Sequence, residues 1–372
     1  MPQSSMFIPT LPSRVAAAFA AVLAILIALP SAAASRSHAP ASAQAASGYE
    51  RREDVRAFID ALVRDDGFSR STLRRWFRDV RYQPKIVEAM DRPIAAPPKW
   101  FEYAPQFLTP ERIEGGVAFW QAHADALARA EREFGVPPEI IVAIIGVETF
   151  YGRNVGSYRV IDALSTLAFD YPRRASFFRG ELRHFLLLAR DERFSPLVPK
   201  GSFAGAIGVP QFMPGSVREY AIDYDNDGRI DLWRSGDDAV GSVANYLARH
   251  DWLRGQPVWT KAVIAPSQRD ATMRRLDGGI SERRPLVAWN DDGVAADALP
   301  EAMSPEPVGL LSLEVAPDAD ADGDGQTLRI VFPNFYVITR YNKSRLYAAA
   351  VTSLAEALRA QYNETTTASV RR

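Results

Sequence analysis

One stretch constrains the chain more than any other: Gly135-Val-Pro-Pro-Glu-Ile-Ile-Val-Ala-Ile-Ile-Gly-Val-Glu-Thr-Phe-Tyr-Gly-Arg153. Pro137 and Pro138 suit the first turn of a helix, where a missing N–H leaves nothing unpaired, and Gly135 closes whatever precedes it. Ile141, Ile144, Ile145 and Glu148 fall at i, i+3, i+4 and i+7, so the face on which the isoleucines are buried also carries a carboxylate. A carboxylate facing low dielectric has its charged form disfavoured and its pKa raised, which keeps a transferable proton on it near neutral pH. Two readings follow: a proton-transfer group, or a partly buried glutamate paired with a cation such as Arg153.

Composition narrows the partner. At 372 residues the chain can bury a large core, and 47% hydrophobic with 24% charged residues is the balance of a soluble globular protein. A formal net charge of -1 offers no basic excess to neutralise phosphates, which argues against nucleic acid. With 13 Tyr, 19 Phe and 7 Trp, a polymer is more readily held by aromatic faces and hydrogen bonds than by charge. Cysteine is absent, which excludes a disulfide framework, thiol catalysis and a lipid-modified cysteine, so the chain is not read as a lipoprotein.

Residues 1–34 read as a signal peptide for export to the periplasm: Arg14, an apolar run from Val15 to Leu29, Pro30, then Ala32-Ala33-Ala34. An uncleaved segment that keeps the protein at the membrane is the alternative. Residues 35–48, rich in Ala and Ser, read as a disordered linker. Helical repeats follow at Val55–Val63 and Ser71–Phe77, then prolines, then one long helix from about Pro110 to Phe134 leading into the Glu148 helix. Further helices are expected over Ile161–Phe169, Ala175–Arg190, Asp238–Leu247 and Ser344–Tyr362. Between about Pro257 and Phe332 the pattern alternates and is broken by turn dipeptides such as Asp292-Gly293, as in a small sheet.

Three stretches carry more than pattern: Gly146-Val-Glu-Thr-Phe-Tyr-Gly-Arg153, Gly201-Ser-Phe-Ala-Gly-Ala-Ile-Gly-Val-Pro-Gln-Phe-Met-Pro214 and Asn334-Phe-Tyr-Val-Ile-Thr-Arg-Tyr-Asn342. In this order and spacing the chain resembles the membrane-bound lytic murein transglycosylase B family, glycoside hydrolases of a lysozyme-like superfamily, from about Tyr103 to the C-terminal helix. The resemblance implies a mainly α (α+β) fold. Its parts are a helical subdomain over 49–110, a lysozyme-like core over 111–256, a small β-containing subdomain over 257–332 and a segment over 333–372 that returns to the core. It implies Glu148 as the single catalytic acid and base, with Tyr103, Ser202, Gln211, Tyr246, Tyr341 and Asn342 lining the cleft. Read without it, Ser202 is a helix cap and Tyr246, on an apolar helix, a core ring. The implied reaction breaks the glycosidic bond between N-acetylmuramic acid and N-acetylglucosamine in peptidoglycan strands without water, leaving 1,6-anhydromuramyl ends. A hydrolytic muramidase of the same fold and a non-catalytic glycan-binding scaffold are the rivals.

A separate motif, Asp223-Tyr-Asp-Asn-Asp-Gly-Arg229, puts Asp223, Asp225 and Asp227 at positions 1, 3 and 5 of an EF-hand-like loop, Gly228 at 6 and the Arg229 carbonyl at 7. Position 12 is Arg234 instead of the usual glutamate. The resemblance supplies Asp238 as the closing ligand, with Asp237 as its rival, so a structural Ca2+ is expected; a solvated acidic turn is the alternative. The chemistry itself is expected to need no cofactor. Asp318–Gly325 repeats only the first half of such a loop and reads as a hairpin. The four histidines, His38, His123, His184 and His250, lack HExxH spacing, which disfavours a zinc enzyme. A monomer that meets peptidoglycan strands and wall-synthesis enzymes completes the expectation.

Overall fold

A computed structural model describes residues 48–92, 96–299, 304–317 and 325–370. The signal-peptide and linker expectations (residues 1–47) lie outside these, as does all but the last residue of the Asp318–Gly325 turn. No helix among the described residues is long and apolar enough to cross a membrane.

The N-terminal part folds as α1 (Glu53–Asp66), α2 (Arg70–Arg78), α3 (Pro84–Asp91) and the single-turn α4 (Trp100–Tyr103). Residues expected to form one helix from Pro110 to Phe134 instead form α5 (Pro110–Ala122) and α6 (Ala124–Phe134), broken at His123, whose backbone leaves the helical region (φ -118, ψ 27). No proline or glycine marks the break. The cause is tertiary: His123 Nδ1 lies 2.6 Å from Asp237 Oδ1, and its ring sits where a side chain at Gly236 would otherwise stand.

Next come α7 (Pro138–Thr149), β1 (Tyr158–Arg159), α8 (Val160–Asp170), α9 (Ala175–Asp191), β2 (Lys200–Gly201), α10 (Pro214–Tyr220) and α11 (Gly236–Arg249). Between Glu139 and Glu148 the sequence of α7 has no polar side chain, and the structure buries every one of those residues. The isoleucine stripe expected on one face is therefore only part of the burial. A helix that is apolar all round belongs at the centre of a core, and α7 touches α5, α6, α11 and the C-terminal helix.

The sheet is antiparallel, in the order β4 (Val294–Ala296), β3 (Trp259–Ile264), β6 (Gln326–Val331), β5 (Gly309–Glu314), with short helices α12 (Arg269–Met273) and α13 (Leu286–Asp291) in its connections. Register is fixed by pairs such as Trp259 with Val331 and Leu311 with Arg329. Strand β5 is buried from Gly309 to Leu313 because both its faces are covered: Leu310 joins a small core with Trp289, Leu328 and Ile330, while Leu311 and Leu313 join the main core. The chain then returns through α14 (Pro333–Tyr341) to α15 (Arg345–Val370), which packs along α7 and α5.

The N-terminal helices share the main core and are pinned to it by a buried ion pair. Arg52 donates to Asp170 Oδ1 at 2.6 Å, and the Tyr49 hydroxyl donates to the other oxygen at 2.5 Å. Asp170 is almost wholly buried, so removing it leaves the Arg52 charge with the Phe169 carbonyl and, as its ionic partner, only the more exposed Asp54. Asp170→Ala is expected to lower the unfolding free energy by about 3–5 kcal/mol, measured by urea titration; a loss below about 1 kcal/mol would mean that the pair does not hold the N-terminal helices in place.

Candidate active site

Glu148 sits in the last turn of α7, and what ends that helix also fixes its position. Phe150 and Tyr151 both take left-handed backbone (φ 53 and 60), uncommon for aromatic residues. The Phe150 N–H still reaches the Gly146 carbonyl at 3.0 Å, and the Phe150 ring lies between the guanidinium groups of Arg112 and Arg153, each 4.6 Å away. The Tyr151 ring folds back against α5 and α7. A Cβ at Gly116 or Gly146 would come within 2.4 or 2.6 Å of its hydroxyl, so both positions need glycine.

The Glu148 residue is half-buried, and burial of its carboxyl pushes the pKa up to about 7, against an ordinary value of 4.5. The opposing influence is smaller: Tyr347, wholly buried near the start of α15, donates its hydroxyl to Glu148 Oε1 at 2.6 Å. Arg153, the cation that would make Glu148 an ordinary buried ion pair, is occupied with the Phe150 ring, and among the described residues no ion pair involves Glu148. A carboxyl held this way carries a proton near neutral pH and can release it and take it back.

Of the sequence-derived cleft residues, Tyr103 and Tyr341 lie within electrostatic reach of Glu148. The hydroxyl of Tyr103 is pushed up to about 12, and that of Tyr341 well above its usual range, by burial first and the Glu148 charge second. Tyr246 packs on Tyr341 with ring centroids 5.0 Å apart and donates its hydroxyl to the Arg340 carbonyl at 2.8 Å. Asn342 ends α14, where its carbonyl accepts the Ser344 N–H at 2.7 Å.

Ser202 and Gln211 belong to the glycine-rich loop. The Ser202 Oγ accepts the Ala206 N–H at 3.0 Å, a capping contact inside the loop. Gln211 is left-handed (φ 53), and its Nε2 donates to the carbonyls of Gly208 at 2.8 Å and Val155 at 3.2 Å. Neither residue has a hydrogen bond to Glu148. Their loop is nonetheless tied to it on two sides: Thr149, next to Glu148, donates to the Val209 carbonyl at 2.8 Å, and Tyr341 donates to the Pro210 carbonyl at 2.6 Å.

Tyr347 escapes a reading of the sequence. In Leu346-Tyr-Ala-Ala-Ala-Val351 it has the pattern of one more core ring, and only the packing of α15 on α7 brings its hydroxyl to the carboxylate.

The acidic loop gathers Asp223, Asp225 and Asp227 with one oxygen from each within 4.8 Å of the others. Three carboxylates and no softer donor fit a hard divalent cation. The Arg229 N–H donates to Asp227 Oδ1 at 2.9 Å, which holds position 7 against the cluster. Asp238 lies outside this cluster. It is 1% exposed, and its two oxygens accept the backbone N–H groups of Tyr224 (2.7 Å), Asp225 (3.3 Å) and Asp231 (2.8 Å), so it shapes the loop from within and is not one of the clustered ligands. Asp237 faces His123 instead. Asp238 thus meets backbone N–H groups of the loop and Asp237 an imidazole.

A lysozyme-like helical core built round one protonatable glutamate defines a class of glycan-cleaving folds, and comparison with known proteins identifies which. Residues 50–356 match the family described as Transglycosylase SLT domain. The chain is 41% identical over 325 residues to the membrane-bound lytic murein transglycosylase B of Escherichia coli (strain K12), covering 83% of this chain and 84% of that one. The structure is similar to soluble lytic transglycosylase SltB1 from Pseudomonas aeruginosa (TM-score 0.75, 46% identity, 82% of this chain and 98% of that one). It is also similar to Escherichia coli lytic transglycosylase Slt35 in complex with calcium (TM-score 0.74, 40% identity, 84% and 94%). The chain belongs to this lytic murein transglycosylase family.

The raised pKa of Glu148 links stability to pH. The unfolded carboxyl ionises near 4.5 and the folded one near 7, so the folded state binds the proton more tightly and loses stability as pH rises through that window. Glu148→Gln, neutral at every pH and still able to accept from Tyr347, is therefore expected to be more stable than wild type by about 1–3 kcal/mol at pH 8. The advantage should vanish at pH 4. Denaturant titrations at the two pH values test this, and equal stabilities at pH 8 would contradict a buried, proton-holding carboxyl.

Proposed function

We propose that this chain is a peptidoglycan lytic transglycosylase that cleaves the bond between N-acetylmuramic acid and N-acetylglucosamine without consuming water. One observation carries the choice of mechanism: Glu148 is held near neutrality by burial and one tyrosine, and among the described residues no aspartate or glutamate bears on its charge. Ordinary retaining and inverting glycosidases use two carboxylates across the scissile bond. With a single one, the substrate supplies the other group.

Protonated Glu148 gives its proton to the glycosidic oxygen as the bond to the muramyl C1 breaks. The 2-acetamido group of the muramyl residue stabilises the positive charge that develops. Ionised Glu148 then takes the proton of the muramyl O6 hydroxyl as O6 bonds to C1, which closes the 1,6-anhydro ring and returns Glu148 to its starting state. Tyr347 donates to the ionised form and holds the carboxylate in place between the two steps. An O6 held against C1 has an effective concentration far above that of a competing molecule. Tyr103, Ser202, Gln211, Tyr246, Tyr341 and Asn342 are the residues assigned to holding it there. The two loop residues have their N–H and hydroxyl groups tied to backbone, which favours a rigid wall.

The Asp223, Asp225 and Asp227 cluster is assigned a structural Ca2+, with Arg229 contributing its carbonyl and Asp238, at the start of α11, the closing carboxylate. We place the protein in the periplasm, delivered by residues 1–34 and acting as a monomer on peptidoglycan strands beside wall-synthesis enzymes. Residues 49–110 and 257–332 are assigned as subdomains flanking the core over 111–256.

Digestion of sacculi in ¹⁸O-labelled water is expected to give unlabelled muramyl ends one water lighter than the hydrolytic product. Glu148→Gln should abolish clearing while folding is retained. Labelled reducing ends as the main product would establish the muramidase instead, and activity of Glu148→Gln within about tenfold of wild type would move the chemistry to another residue.

Calcium binding to the folded loop should raise the melting temperature through linkage. A melt in millimolar calcium is expected above one in chelator, with the gap lost in Asp225→Ala. Coincident wild-type curves would leave the loop as a solvated turn.

A further inference from the structure

We infer that a cavity of about 570 Å³ beside Tyr246 seats a primary ammonium group carried by the peptide stem of the glycan substrate; this rests on the substrate proposed above. The cavity adjoins the cleft but is distinct from the reacting centre, since Tyr246 lines it while Glu148, Tyr341 and Tyr347 do not. Three helices supply its walls: α9 with Glu181 and His184, α10 with Glu219 and Tyr220, and α11 with Tyr246 and, just past its end, His250.

The charges on these walls do not cancel. Glu181 and Glu219 contribute two carboxylates. The one guanidinium at the cavity, Arg218, is drawn to Asp191 at 2.5 Å. His184 stays neutral at pH 7 because burial lowers its pKa, helped by Arg218 and Arg183, and its buried Nδ1 has no hydrogen-bond partner among the described residues. Glu181 is half-buried with its pKa raised by desolvation; its Oε2 accepts the Gly215 N–H at 2.8 Å, which leaves Oε1 uncommitted. A side chain at position 215 would approach Oε1 within 3.1 Å, so the glycine keeps that oxygen open.

Three rings share the lining, and the Tyr220 hydroxyl bonds the Glu219 carboxylate. Tyr220 lies 4.9 Å from Tyr246 and 5.1 Å from His250, and Tyr246 stacks on His250 at 4.2 Å. Carboxylates and aromatic rings lining one cavity suit an ammonium ion, through charge-assisted hydrogen bonds and attraction to the rings. An anion is repelled there, and an uncharged sugar leaves the carboxylates without a counter-charge.

The path from the reacting centre is short. Tyr347 touches Glu148, and from Tyr347 the rings step to Tyr341 (6.5 Å), Tyr246 (5.0 Å) and Tyr220 (4.9 Å). A stem of four or five residues extends about 13–18 Å, comparable with the separation these ring-to-ring steps span. Stems that carry a diamino acid bear a free side-chain amine only where no cross-link has formed. The cavity therefore gives the enzyme a preference for uncross-linked stems.

The test is calorimetric binding to the full chain of two stem peptides, both acylated at the N-terminus as the lactyl group would do. One has a free amine on its diamino acid, and in the other that amine is acetylated. The free-amine peptide is expected to bind about tenfold more tightly. Glu181→Gln, which keeps an acceptor for the Gly215 N–H, should abolish the preference. Glu219→Gln, at the exposed rim, should reduce it without changing the melting temperature, which keeps the test decisive if Glu181→Gln folds poorly. Equal binding of the two peptides, or a preference that survives both substitutions, overturns the proposal. Binding is read without turnover, so this failure is distinct from that of the transglycosylase reading, which would show as labelled ends or as no cleavage of peptide-free strands.

Discussion

The structure depends on one hydrogen bond made where an ionised group is least welcome, from the Tyr347 hydroxyl to the Glu148 carboxyl at the end of a deeply buried helix. Burial alone drives the carboxyl towards its neutral form, and a cation in its place would drive it back to an ordinary carboxylate. A neutral donor does neither completely, and the pKa settles near 7. Acid and base roles in one catalytic cycle require such a compromise, because each form must be reachable from the other at the same pH. The core that stabilises the fold therefore also sets the proton affinity of this carboxyl.

That arrangement explains why the helix end is built with strain. Two consecutive left-handed aromatic residues follow Thr149, and two glycines on neighbouring helices clear space for the Tyr151 ring. Strain of this kind persists only where the surroundings over-determine it. Here the surroundings are Arg112 and Arg153 on the Phe150 ring and the Thr149 hydroxyl on the Val209 carbonyl. The same contacts carry the glycine-rich loop, so a shift in the α7 terminus is a shift in Gln211. Tyr341, bonded to the Pro210 carbonyl, closes this ring of contacts from the C-terminal end of the chain.

The acidic loop follows a different logic. Its three clustered aspartates follow from spacing in the sequence, because residues 1, 3 and 5 of a tight turn converge whatever lies around them. What lies around the cluster is a long-range matter: Asp238 is buried and accepts backbone N–H groups of the loop, while Asp237 is turned towards His123. One imidazole thus accounts both for the break in the Pro110–Phe134 helix and for the loss of a candidate ligand.

By itself the sequence determined what local rules govern. The prolines and the isoleucine run specify α7, its apolar periodicity carries Glu148 inwards, and the alternation after Pro257 specifies a small sheet. Three motifs in fixed order disclosed the family, whose match over residues 50–356 agrees with them. Only the tertiary structure decided what surrounds Glu148 and what does not: that Arg153 turns away to a ring, that Tyr347, nearly two hundred positions on, supplies the hydroxyl, that α7 is enclosed on every side, and that Glu181, His184 and Tyr220 meet at one cavity. The physical reason is common to all of these. Periodicity says which face of an element is buried, but a tyrosine or a glutamate on that face looks the same in sequence whether it meets a methyl group or a carboxylate, and the difference is made by which helix packs against it.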